Sequence, residues 1–170
     1  MSGQARVLAP WEWIGAPMLQ CMALTILFAV SLKVFGLQPP EPVFAMWPVF
    51  AWAMIRPSIL APFAVLLLGL FLDAFWGGPT GLWAVSLLVA YGVVLAARNM
   101  MVGQSQPMML FWYASVTALA FGAGYLISAV KTQTYPSLVA VGWQFLATIV
   151  LYPLANRLID RFEDADVRFR

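Results

Sequence analysis

From Ile14 onward the chain is a succession of apolar runs, broken only by short stretches of proline, glycine or charge. That pattern leaves little choice of surroundings. Of 170 residues, 63% are hydrophobic and 9% charged, against roughly 25% charged in a soluble domain. A core of this size cannot hide so much apolar surface from water. The expected class is an all-α integral membrane protein, one transmembrane domain with short termini and no soluble domain.

A spanning helix needs about 20 apolar residues, fewer where the membrane is thin. Six segments qualify, near residues 14–35, 42–55, 57–73, 80–97, 107–130 and 136–157. "GLQPPEP" separates the first two, since its three prolines cannot continue a helix. Pro48 lies inside the short second segment, and Pro57 opens the third at a position that proline favours. These two segments can also form one bent hairpin that barely crosses. The first segment is too long for a signal sequence and has one early basic residue, Arg6, so it reads as a retained helix.

Six alternating spans put both termini on one side. That side then carries Arg6, Arg56, Arg98, Arg157, Arg161, Arg168 and Arg170, and the other carries Lys33 and Lys131. Basic residues mark the cytoplasmic face, so both termini are expected in the cytoplasm. Asp160, Glu163, Asp164 and Asp166 sit among four arginines in the tail, which reads as a short solvated extension.

There is no histidine and one cysteine, Cys21. This excludes an internal disulfide, a Cys/His metal site and histidine-based nucleophilic catalysis. No cofactor, metal or nucleic acid is expected as a partner.

One acid stands out. In "LGLFLDAFWGGPTGLWAV", Leu68 to Val85, Asp73 ends an apolar run and glycines surround it. An acid near a membrane is a functional candidate by default. It can relay protons, bind a cation or polar ligand, or cap the helix that follows, with Thr80 as a second cap candidate. The glycine-rich turn favours the cap, because glycine permits tight backbone paths. Glu41 is the only other acid expected on that side. In the fifth helix Ala114, Ala118 and Gly122 recur every four residues, as do Ala120, Gly124 and Ser128. Small residues at this spacing let helices approach closely, here within the chain or against a partner's helix. Gln20 and Gln144 are candidates for a bond between helices. Trp11, Trp13, Trp76 and Trp112 suit the membrane interfaces, while Trp47, Trp52, Trp83 and Trp143 suit packing.

Two stretches resemble a known family. "MWPVFAWAMIRP", Met46 to Pro57, has its proline, apolar run, aromatic residue and closing Arg-Pro. "LLLGLFLDAFWGGPTGLWAVSLLVAY", Leu66 to Tyr91, has its Gly-Leu-x-x-Asp stretch and Gly-Pro-x-Gly turn. The family is MreD, the rod-shape-determining membrane proteins of bacteria. The match covers about 45 residues in the middle of the chain; Trp76 and Trp83 depart from the pattern. The resemblance implies six helices in a fold like the substrate-binding subunits of energy-coupling-factor transporters. It implies a non-enzymatic scaffold of the bacterial inner membrane that binds MreC and acts with RodA, a class B penicillin-binding transpeptidase and MreB in peptidoglycan synthesis and rod cell shape. Carried over residue by residue, Gly69, Asp73, Gly77, Pro79 and Gly81 match the family turn. Pro48, Arg56 and Pro57 match the pattern at the second and third helices. Gly69, Asp73 and the fifth-helix residues Ala114, Ala118, Gly122 and Gly124 are then the candidates for structural or partner contacts.

Two other readings compete. A subunit binding a small vitamin or metal for an energy-coupling-factor transporter would want a polar pocket near the outer face. It would also want small residues every four positions in helix 1, which are missing. A membrane enzyme acting on lipids would want two convergent acids, and only Glu41 and Asp73 are available.

Overall fold

The computed structural model describes residues 11–29, 41–55, 58–133 and 136–167, with side chains to residue 160. Among these residues every regular element is helical. A π-helical turn, Trp11–Gly15, runs into α1 (Ala16–Ala29). Then follow α2 (Met46–Ile55), α3 (Leu60–Trp76), α4 (Leu82–Met101), α5 (Gln106–Thr132), α6 (Leu138–Ile149) and α7 (Tyr152–Val167). Four helical stretches are long and apolar enough to cross a membrane: Trp11–Ala29, α4, α5, and α6 with most of α7 as Leu138–Asp160. Two apolar helices, α2 and α3, are shorter. Lys33, Arg6, Arg56, Pro57, Arg168 and Arg170 lie outside the described residues.

α4 is the centre of the arrangement. It forms a hairpin with α3 and also packs on α5 and α2. α2 is held between α4 and α7, and α6 lies against α5.

α2 is the most buried element. Every residue from Met46 to Met54 is buried, as expected of a helix that is apolar all round. Ten residues span about 15 Å, half of a roughly 30 Å hydrocarbon layer. The sequence suggests a helix from residue 42, but residues 41–45 are not helical and the helix starts at Met46. Irregular backbone at membrane depth is tolerated where protein surrounds it. Here Val43 N–H donates to Thr148 Oγ1 at 3.0 Å. The Phe44 carbonyl accepts from Cys21 Sγ at 3.3 Å. Met46 N–H donates to the Val43 carbonyl at 3.1 Å. The late start leaves Pro48 in the first turn, where its missing N–H breaks no helical bond. At the other end of α2, Arg98 Nη2 donates to the Ile55 carbonyl at 3.2 Å. Trp52, wholly buried, donates its indole N–H to the Trp13 carbonyl at 2.7 Å.

The third helix covers 60–76 rather than 57–73, so Asp73 sits inside its last turn. The sixth segment is not one helix of residues 136–157. It divides at Val150 and Leu151, because Pro153 lacks an N–H and its ring collides with the carbonyl four residues back. Local bonds bridge the break: Leu151 N–H to the Thr148 carbonyl at 3.0 Å and Leu154 N–H to the Leu151 carbonyl at 2.9 Å. Tyr152, Ala155 and Ile159 are buried along one stripe of α7, and the helix continues to Val167.

Thr148 joins three elements. Its hydroxyl donates to the Gln144 carbonyl at 2.8 Å and accepts from Val43, while its own carbonyl accepts from Tyr113 Oη at 3.2 Å. Thr148→Val leaves the buried Val43 N–H without an acceptor. It should lower stability by about 1–3 kcal/mol, read as a lower unfolding midpoint in mild detergent. Thr148→Ser keeps the hydroxyl and should stay close to the parent.

Candidate functional site

α3 ends at Trp76 because Gly77 turns the backbone left-handed, with φ 63°. α4 starts after Gly81, at φ 90°. Both angles are strained for residues with a Cβ. Between them Pro79 turns the chain, and its carbonyl accepts from Leu82 N–H at 3.1 Å.

The first N–H groups of a helix have no partners within the helix, and Gly81 has no side chain to supply one. Asp73 supplies it from across the hairpin. Its Oδ2 accepts from Gly81 N–H at 2.8 Å and its Oδ1 from Trp83 N–H at 2.7 Å. Asp73 is 3% exposed. Both carboxylate oxygens face the positive end of the α4 dipole, the favourable end for an anion. Thr80, the other cap candidate, contributes its backbone carbonyl instead, which accepts from Lys131 Nζ at the end of α5.

Gly69 lies one turn before Asp73 on the same face. A Cβ there would come within 2.3 Å of Ala84 Cα and 2.6 Å of Ala84 N. The absent side chain lets the two backbones approach, and the approach brings the α4 amides to the Asp73 carboxylate. Gly69 and Asp73 therefore act as one unit.

On its other side α4 meets α5 at Gly124, whose Cβ position is 3.3 Å from Ser86 Oγ and 3.4 Å from Leu82 Cδ2. The two small-residue series of α5 thus have different fates. Ala120 and Gly124 are buried, and the Gly124 position faces α4. In the other series Ala114 is half-buried, Ala118 is exposed, and the Gly122 position opens onto empty space. Among the described residues nothing packs on the Gly122 position, and α4 lies against the Gly124 side of α5.

Aromatic residues extend the site sideways. Trp76 donates its indole N–H to Glu41 Oε2 at 2.9 Å. Its ring meets Trp83 edge to face at 5.3 Å, Trp83 meets Phe121 at 5.6 Å, and Phe121 meets Phe145 at 5.9 Å. The row links the ends of α3 and α4 to α5 and α6. Trp143, read as a packing residue, instead faces outward and is 59% exposed. Gln20 and Gln144 do not bond to each other or to any other side chain among the described residues, and Gln20 is exposed.

Glu41 and Asp73 do not form an acid–base pair. Asp73 has both oxygens engaged by amides, and Glu41 is held by Trp76. The Glu41–Trp76 contact joins residues far apart in sequence, and no local spacing signals it. Among the described residues no group of three His, Cys, Asp or Glu side chains can hold a metal ion. No family model, curated protein or solved structure matches the chain.

Asp73→Ala removes two charge-assisted bonds and should cost about 2–4 kcal/mol of stability. Asp73→Asn, which keeps one acceptor oxygen, should cost roughly half as much. Gly69→Ala forces α3 and α4 apart and should cost about 3 kcal/mol. Gly122→Ala meets open space and should gain up to about 1 kcal/mol from helix propensity. Thermal unfolding of the four variants in one detergent checks this order.

Proposed function

We propose that this chain is a non-enzymatic membrane scaffold of the MreD kind, which binds an MreC-like single-span partner and supports peptidoglycan synthesis and rod shape. The observation that carries the reading is the commitment of Asp73 to α4. The one acid that the motif marks is used, with Gly69, to fix a hairpin. A residue so engaged suits a rigid support better than proton or ligand chemistry. In this reading the bundle crosses the bacterial inner membrane six times, α2 with its extended lead being the second crossing. Its fold is that of the substrate-binding subunits of energy-coupling-factor transporters. The turn at residues 77–81 lies outside and both termini are cytoplasmic. The orientation is supported by the basic residues of the sequence, seven arginines on the side of the termini against Lys33 and Lys131 on the other.

The outward series Ala114, Ala118 and Gly122 is the surface we assign to the partner's span. RodA, the class B transpeptidase and MreB would join through that complex. Purification of the tagged chain from its own host in mild detergent, followed by mass spectrometry, tests the reading. The expected result is recovery of an MreC-like protein, reduced several-fold by Gly122→Leu at unchanged membrane levels. Recovery of transporter ATPases and their coupling protein instead would overturn it in favour of small-molecule uptake.

A further inference from the structure

α1 holds to the bundle by a narrow stripe. Its buried residues are Pro17, Cys21 and Thr25, spaced four apart. The polar groups of that stripe are satisfied: Thr25 Oγ1 donates to the Cys21 carbonyl at 2.8 Å, and Cys21 Sγ to the Phe44 carbonyl. Hydroxyls elsewhere do the same, Ser86, Ser115, Thr117 and Thr148 each bonding back to their own helix.

Gln20 is different. It is exposed, and among the described residues its carboxamide has no hydrogen-bond partner. It also lies inside the apolar run that begins at Ile14, six residues from its start. Six residues are about 9 Å of helix, which puts the amide inside a roughly 30 Å hydrocarbon layer rather than at its edge. Among the described residues nothing offers a primary amide there a bond, a costly state in lipid. Gln144 of α6, by contrast, is half-buried.

The surroundings of Gln20 are shaped for a helix. Ala16, Gln20, Ala23 and Leu27 follow a four-three-four spacing along the outward side of α1. That spacing is the seam of two helices crossing at a small angle. Alanines one turn to either side of Gln20 allow close approach. A single polar residue within such a seam fixes register and partner number.

We infer that α1 is a self-association surface, occupied by α1 of a second copy of this chain. The occupant follows from the chemistry of the amide. A carboxamide both donates and accepts, so two Gln20 side chains facing each other across a two-fold axis satisfy one another. Two copies inserted in the same direction are related by an axis along the membrane normal, which sets their α1 helices parallel and Gln20 opposite Gln20. The inference does not depend on the scaffold reading, and the surface is separate from the outward series on α5.

The test is energy transfer between donor- and acceptor-labelled full chains in phosphatidylethanolamine–phosphatidylglycerol vesicles, followed as lipid is added. The expected result is a dimer whose dissociation shifts by roughly tenfold in Gln20→Leu, the factor for two modest interhelical bonds. Gln20→Asn keeps the amide and should keep most of the association. Ala23→Leu, which blocks close approach, should weaken it, and Phe63→Leu on the exposed side of α3 should not. Gln20 and Ala23 are exposed, so these variants leave the bundle intact. Transfer at the level of random mixing in the parent chain overturns the proposal. So does a dimer indifferent to both Gln20→Leu and Ala23→Leu.

Discussion

The arrangement depends on one carboxylate satisfying the start of one helix. α4 touches α2, α3 and α5, so its position fixes most of the bundle. Its first turn presents amides that neither Gly81 nor lipid can serve. Asp73 serves two of them from α3, and Gly69 removes the one side chain that would keep the helices too far apart for that bond. Register, separation and cap are set together by two residues four apart.

The same demand, that no backbone group be left unpaired in an apolar medium, explains the irregular lead into α2. The chain leaves helical geometry at residues 41–45 in the interior of the bundle. It can do so because Thr148 and Cys21 reach it from α6 and α1. The hydroxyl and thiol substitute for missing turns of helix. Arg98 closes the account at the far end by bonding the last carbonyl of α2.

Much of this was legible locally. The apolar runs, the turn glycines and the value of Asp73 as a cap are written in short stretches, and the helix-forming segments follow from them. What was not legible depends on neighbours distant in the chain. Whether helix begins at residue 42 or 46 is decided by Thr148, which has no local signature. Pro153 marks the break between α6 and α7, but a proline can also be absorbed within a membrane helix. The two small-residue series of α5 read alike, and only the location of α4 separates an inward series from an outward one. Trp76 and Glu41 are joined by folding alone. Gln20 reads as a bond between helices of one chain, and the structure turns it outward.

The burial of α2 also bears on how the protein is made. This helix is apolar on all sides, too short to span alone, and preceded by backbone that lipid cannot accommodate. The surfaces that enclose it come from α4 and α7, both synthesised after it. When α2 leaves the ribosome it has no complete place to go. Its polar lead finds its acceptor only once Thr148 has been made. The most buried helix of the finished bundle is therefore enclosed only after α7 has been made, long after α2 itself leaves the ribosome.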